Sequence, residues 1–538
     1  MEDLAVEPET KAGGQEDSRF EDSRSAADQQ ETPKNPSLDE NSRLVYCGKI
    51  LPGSQLGAIR YTVKSFRSLD QCQVETLLLA DGRLGYQIPK EICDNLGQTV
   101  SREFRLPMTY QEKVDLEDVR KWLKICKEHH RGRCSIKAEP WFVGFKVIDC
   151  CTMGIVKAPE GCEYVALSYL WGSSAYDAQD SLSSLRGESA PLTIRDAVVV
   201  VKELGFRYLW IDRYCINQSD GGEKHDIIQR MDVIYQCASI TIIAAGGKGP
   251  DAGLSGVSET MRKLDLRMHG GYSRPYICLP RADSDIQESI WWTRAWTYQE
   301  GLLSRRRLVF TESQVYFQCQ SGHYIEKWRD SFEKTQEPRY SFQDDLNGHR
   351  VFPNQGVGEK TEDIFVRIGE YVQRELSYES DGLNAFLGLF RAYQRMPEPV
   401  YHFWGVPLLA RSGAPIASSM ANGLLWCSFH PSDPEHGRLR RVECLPSWSW
   451  VGWKWSGTKS PGYDGDQPYW RYYPWSYDKI LDTDATFQVC LRESYYNMAE
   501  YVEKIQAGIR FSDFKPKIWV RGWVTRLKLA ELGQKDSR

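Results

Sequence analysis

Two acidic residues stand out, one at the end of an apolar strand and one at the end of a polar, Trp-containing block. Asp212 ends Arg207-Tyr208-Leu209-Trp210-Ile211-Asp212, and Glu300 ends Trp292-Thr293-Arg294-Ala295-Trp296-Thr297-Tyr298-Gln299-Glu300. A carboxylate so placed could stabilise positive charge developing in a substrate or orient a hydroxyl. Each has a plainer reading as well: Asp212 as the cap of the turn after its strand, Glu300 as the ion-pair partner of Arg294 or Arg305. Ser168, at the end of Tyr164-Val165-Ala166-Leu167-Ser168-Tyr169, has the position of a nucleophile, but no G-x-S-x-G elbow surrounds it. Cys215 with His225 offers a thiol and a base. Cys126, His129, His130 and Cys134 form a tight group in which two or three residues could bind zinc. Because no partner Cys-x-x-Cys pair accompanies them, and adjacent histidines do not easily face one ion, no metal ligand is assigned. Trp448, Trp450, Trp453 and Trp455 could form a sugar-stacking face, although such alternation more often packs a core. P-loop, GxGxxG and HExxH motifs are absent.

The elements that must position these groups are legible from periodicity. From about Trp141 short apolar strands alternate with amphipathic helices, the pattern of a sheet with helical crossovers. Tyr164 to Tyr169 reads as a strand ending at Trp171-Gly172, a turn that uses the conformational freedom of glycine. Thr193 and Asp196 resemble a capping box that opens a helix through Val198, Val201 and Leu204, with Gly205 as its stop. Arg207 to Asp212 is a second strand. Asp220 and Glu223 again have capping-box spacing, before a helix face of Ile227, Met231, Ile234 and Tyr235. Ser239 to Ala245 is a buried strand, Trp292 to Glu300 opens a helix, and Arg307 to Phe310 is a further strand. In parallel sheets ligands bind beyond the carboxyl ends of the strands. That edge would hold Trp171-Gly172, Asp212 and Gly246-Gly247.

The rest of the chain frames this unit. Residues 1–43 hold twelve acidic and five basic residues and few large apolar ones, and read as a disordered acidic tail. Residues 44–139 form a lead-in subdomain with a strand near Val74 to Leu79 and a helix over Leu116 to Glu128, where Val119, Leu123 and Cys126 share a face. The α/β domain spans 140–320, and a polar connecting segment covers 321–359. A mixed α+β, Trp-rich region follows over 360–538, with a helix through Val366, Tyr371 and Leu376, a Trp448 to Trp455 strand and a late strand from Lys517 to Leu529.

The 538 residues are 41% hydrophobic and 26% charged, close to the average for globular protein. A net charge of -5 gives no basic field to hold a polyanion, so nucleic acid is not the expected partner. No apolar run of about 18 residues offers a membrane span, and the acidic start is unlike a secretory signal. The expected location is cytoplasmic, and the 15 cysteines are read as free thiols.

Three blocks resemble one family: Ala166-Leu167-Ser168-Tyr169-Leu170-Trp171-Gly172, Leu209-Trp210-Ile211-Asp212-Arg213-Tyr214-Cys215-Ile216-Asn217-Gln218, and Arg294-Ala295-Trp296-Thr297-Tyr298-Gln299-Glu300. They are similar to the signature blocks of the fungal heterokaryon incompatibility (HET) domain. Ala295 stands where that family commonly has glycine, and Tyr214 where leucine is commoner. The resemblance implies a role in self/non-self recognition and programmed cell death, with self-association and a separate recognition protein as expected partners. A further resemblance, in the layout of strands and the Trp-containing motif ending in Glu300, is to TIR domains. It implies a TIR-like, flavodoxin-like parallel sheet with flanking helices, and NAD as a substrate with no cofactor required. Glu300 takes the matching catalytic position. Ser168, Trp171, Gly172, Asp212, Arg294 and Trp296 are the substrate-binding candidates, with Trp171, Trp296 or Tyr298 to stack on a ring and backbone N–H groups near Gly172 or Gly246-Gly247 to face the diphosphate. The alternative within the family is a non-enzymatic, self-associating signalling module.

Overall fold

The computed structural model describes residues 113–135, 142, 144–172, 190–263, 282–326, 350–353, 356–411, 415–428, 439–455 and 485–522, together with short strands at 48–50, 59–61, 75–78, 84–87, 267–269, 276–278 and 470–472. The acidic tail of residues 1–43 and much of the 321–359 segment lie outside the described residues. Strands β1 (Gly48–Ile50), β2 (Ile59–Tyr61), β3 (Glu75–Leu78) and β4 (Leu84–Gln87) pair as an antiparallel meander. Helix α1 (Leu116–His129) starts at Asp115, whose side chain accepts the Glu117 N–H at 2.8 Å. Val119, Leu123 and Cys126 are buried along one face, as their spacing requires.

The central sheet follows. Its strands are the hairpin β5 (Lys146–Asp149) and β6 (Gly154–Lys157), then β7 (Tyr164–Ser168), β8 (Tyr208–Ile211) and β9 (Ile240–Ala244). Between them run α2 (Leu192–Glu203), α3 (Gly221–Ile228) and α4 (Met231–Cys237). After β9 come β10 (Arg267–His269) and β11 (Tyr276–Cys278), which extend the β1–β4 meander beyond β4. Helix α5 (Ala295–Leu303) then leads into β12 (Arg306–Phe310), β13 (Val315–Cys319) and β14 (His323–Ile325).

The order across the central sheet is β14-β13-β12-β9-β7-β8-β5-β6. Strands β12, β9, β7 and β8 run parallel, with antiparallel strands closing both sides. Counted along the chain, the parallel strands lie second, first, third, fourth, an order whose switch point falls between the first and third. Every residue of β7, β9 and β12 is buried. Cover on both faces is why β7 and β9 read as near-continuous apolar runs and not as alternation. Right-handed crossovers place α2 on one face and α3, α4 and α5 on the other, and α4 packs on α5 there.

Beyond the sheet, α6 (Asp363–Tyr371) and α7 (Leu387–Gln394) share a second core with α5, and Phe386 and Trp450 meet edge to face at its centre, 5.6 Å apart. A hairpin of β15 (Val400–Phe403) and β16 (Val406–Leu409) turns through Trp404 and Gly405, both at positive φ (47° and 90°), the geometry a two-residue hairpin demands. The turn is held by Ser449 Oγ donating to Trp404 O and by Trp450 Nε1 donating to Gly405 O, each at 2.7 Å.

Three expectations are corrected. Thr193 and Asp196 do not cap α2, whose N-cap is Pro191 with no side-chain bond. Their oxygens turn outward to the Gly-rich loop: Thr193 Oγ1 accepts Gly253 N–H at 3.1 Å and Asp196 Oδ2 accepts Leu254 N–H at 2.8 Å. The helix expected through Val366 buries its other side, with Ile364, Phe365 and Ile368 inside and Val366 exposed, and it ends at Tyr371 before Leu376. The Trp448 to Trp455 segment is not one strand: Trp450–Gly452 is a 3-10 turn and only Trp453–Trp455 is extended. Trp450 is buried because its indole N–H finds the Gly405 carbonyl, which a strand would have directed elsewhere.

Candidate functional site

The carboxyl ends of β7 and β8 bring Ser168 and Asp212 to one edge, as parallel pairing of Leu167 with Ile211 requires. Glu300 arrives from α5, whose first turn is clamped from outside. Ala295 N–H donates to Glu375 O at 2.8 Å and Glu375 N–H to Thr293 O at 2.6 Å, while the Arg374 guanidinium lies over the rings of Trp292 and Tyr298. The expected helix over Trp292 to Glu300 is therefore two: a turn at Ile290–Thr293, a break at Arg294, then α5.

Glu300 is 5% exposed and Ser168 1%. Ser168 Oγ donates to Glu300 Oε2 at 2.5 Å and accepts the Trp291 indole N–H at 2.7 Å. The indole thus orients the hydroxyl toward the carboxylate. Burial pushes the Glu300 carboxyl up to about 7, aided by the nearby Asp212 charge and opposed by the Ser168 hydrogen bond, Arg294 and the Tyr235 hydroxyl. Asp212 is half-buried, and its Oδ1 accepts Trp171 Nε1 at 3.0 Å and Arg213 N–H at 2.7 Å. Burial raises its carboxyl to about 6 against those two hydrogen bonds and the charges of Arg294 and Arg213. Two carboxyls with raised affinity for protons, coupled through space, thus share the switch-point edge.

Around this pair, Arg213 Nη1 donates to Trp171 O at 3.1 Å, holding the backbone of the half-buried Trp171, whose ring edge bonds to Asp212. Gly172 is exposed at φ 77°, and a Cβ there would come within 2.8 Å of Pro250. Gly246, past β9, lies so close to the backbone of Thr311 that a Cβ would meet its carbonyl carbon at 2.9 Å. Arg294 is half-buried at the α5 break and acts on both carboxyls without an ion pair within 4.0 Å among the described residues. Arg305 is directed elsewhere, to Gln236 O at 2.8 Å and Ser135 O at 2.6 Å. The structural ion pair considered for Glu300 is thus formed with neither arginine.

Of the sequence candidates, Ser168, Trp171, Gly172, Asp212, Arg294 and Glu300 converge. Trp296 lies half-buried between two hydrophobic clusters. Tyr298 turns away altogether, donating to Glu370 Oε2 at 2.5 Å and stacking on Phe386, so it is no platform at this edge. Cys215 is buried, its thiol pushed up to about 12 by desolvation, which removes it as a nucleophile. Two members were missed in the sequence. Trp291 sits next to the recognised block, and Tyr235 is one of four apolar positions on a helix face; the polar ends of both are invisible to periodicity.

Two further observations frame this edge. Among the described residues no helix is long and apolar enough to cross a membrane. No curated protein and no solved structure matches the chain. Residues 164–300 match the family model described as Heterokaryon incompatibility protein (HET), an interval that opens with β7 and closes on Glu300 itself. Residues 164–300 of the chain are thus a heterokaryon incompatibility (HET) domain.

Proposed function

We propose that the carboxyl edge of the parallel sheet is a catalytic pocket that hydrolyses NAD, and that this TIR-like reaction is the effector step of a fungal self/non-self recognition and cell-death response. The observation that carries it is the buried Glu300 carboxyl, bonded to Ser168 at the end of β7 and coupled to Asp212 at the end of β8. Cleavage breaks the bond between nicotinamide N1 and ribose C1′. The electron pair goes to the ring nitrogen, which loses its positive charge, and C1′ becomes oxocarbenium-like before water adds and releases a proton. The leaving group needs no acid. The chemistry rewards a fixed negative charge beside C1′, which ionised Glu300 supplies in a dry setting where it counts most. Asp212 orients the ribose hydroxyls, and Trp171 stacks on a ring at the rim. Backbone N–H groups near Gly172 and Gly246 face the diphosphate. No cofactor is required.

A second reading is favoured by burial. With only 5% exposure and hydrogen bonds closing over it, Glu300 equally suits a structural role in a self-associating, non-enzymatic signalling module. The discriminating experiment is NAD consumption and nicotinamide release by the purified full chain at high concentration with a crowding agent, compared with Glu300→Gln. Turnover that disappears in the folded variant supports the hydrolase. Absence of turnover in both, with assembly demonstrated, moves the assignment to the signalling module.

A further inference from the structure

At the opposite edge of the central sheet, four side chains from distant parts of the chain meet. The ligand atoms of Cys126, His130, Cys134 and Cys319 all lie within 4.8 Å of one another. The first three are spaced by four residues. The end of α1 and the turn Arg131–Cys134 carry them on one face, with His130 N–H donating to Cys126 O at 3.2 Å and Cys134 N–H to His130 O at 2.9 Å. This spacing selects His130 and leaves His129 exposed. Cys319, the last residue of β13, pairs with Arg306 at the amino-terminal side of β12, so the cluster lies far from the carboxyl-edge site.

We propose that Cys126, His130, Cys134 and Cys319 form a structural Zn²⁺ site that clips α1 to the edge of the central sheet. Three thiolates and one imidazole match the preferred ligand set of a closed, four-coordinate zinc centre, with no position left for water or substrate. A tetrahedron with bonds of about 2.3 Å to sulfur and about 2.0 Å to nitrogen has edges of roughly 3.5–3.8 Å. The 3.4 Å from Cys319 Sγ to His130 Nδ1 already fits such an edge. Softness of the sulfur ligands disfavours Mg²⁺ and Ca²⁺.

The surroundings are those of thiolates. Cys319 Sγ accepts the N–H groups of Ser321 at 3.4 Å and Gly322 at 3.3 Å, from the tight turn between β13 and β14. Arg306 Nε donates to Cys126 Sγ at 3.1 Å, and its other nitrogens hold Ser239 O and Cys134 O. Three thiolates around Zn²⁺ leave one negative charge, which the buried Arg306 guanidinium balances. The three cysteines are fully buried and His130 half-exposed, leaving the histidine side as the path of metal entry.

The test is the metal content of the full chain, purified without chelator or a histidine tag, by mass spectrometry. About one zinc per chain is expected. Cys319→Ser is expected to weaken zinc retention at least about tenfold against a competing chelator, while Cys151→Ser, at an exposed cysteine outside the cluster, leaves it unchanged. Cobalt(II) loaded into the native chain provides a readout independent of how a variant folds. Tetrahedral d–d absorption with thiolate charge-transfer bands supports the site, and a spectrum without thiolate bands overturns it. So does a reduced chain that takes up no added Zn²⁺, zinc retention indifferent to Cys319→Ser, or a disulfide among these cysteines in protein freshly purified without air or added reductant.

Discussion

Glu300 and Asp212 make the pH behaviour of this protein a property of single residues. Folding raises the Glu300 carboxyl from its ordinary 4.5 to about 7, so the folded state binds the proton more tightly than the unfolded chain. Stability from this group is full below the unfolded value and is lost as pH rises through the folded one. Glu300→Gln should therefore stabilise the chain at about pH 8 by on the order of 3 kcal/mol, and have little effect below about pH 4.5. Urea melts of both proteins across that range check the sign. Under the proposed hydrolase function activity runs the other way, since only the ionised carboxylate would stabilise the ribosyl cation, and NAD turnover should rise through about pH 7. Ser168→Ala removes a hydrogen bond that favours the charged form, and should move that rise upward by about one pH unit while sparing turnover on the alkaline side. Turnover abolished at every pH would instead make Ser168 a nucleophile.

At the scale of elements, the position of Glu300 depends on how α5 packs against α4 and α7. Gly388 in α7 sits where a Cβ would meet Gln299 Oε1 at 2.5 Å, Leu303 Cδ1 at 3.0 Å and Asp232 Cβ at 3.1 Å. Alanine would gain about 1 kcal/mol of helix propensity and lose more to overpacking. Gly388→Ala should thus cost about 1–2 kcal/mol in a thermal or denaturant melt, against the propensity rule. Asp232, fully buried on α4, accepts Arg391 Nε at 2.9 Å and Arg395 Nη2 at 3.0 Å. Because these bonds join the HET domain to the helix beyond it, Asp232→Ala should destabilise by about 2 kcal/mol, with the loss shared in a double-mutant cycle with Arg391→Ala. The capping residues teach the same lesson. Asp220 caps α3 as its spacing implies, accepting Gly222 and Glu223 N–H at 2.9 and 3.0 Å, whereas Thr193 and Asp196 at the same spacing serve a loop some 60 residues away.

For the whole molecule, the interval that carries the family signature is not a folding unit. Residues 164–300 contain β7, β8 and β9 but omit β12, which pairs with β9, and β5, which pairs with β8. A fragment cut to those bounds would expose two unpaired strand edges. It should aggregate or remain unfolded by circular dichroism, while the full chain does not. Loading the Cys126, His130, Cys134 and Cys319 cluster with zinc should also raise the melting temperature of the full chain, because it closes a loop of nearly two hundred residues between α1 and β13.

What the sequence by itself determined is local: strands β7, β8 and β9 from apolar runs, α1 from its periodicity, the stop at Gly205, and the carboxylates Asp212 and Glu300 within two of the signature blocks. Each follows from the geometry of a few neighbouring residues, which a linear pattern records. Only the tertiary structure decided that Ser168 bonds to Glu300 across 132 positions, that Trp291 orients it, that Tyr298 faces Glu370, and that Cys319 joins three residues of α1 and its following turn. Those pairings follow from sheet order and helix packing, which bring together groups whose spacing along the chain carries no signal, and burial then sets the charge each group can hold.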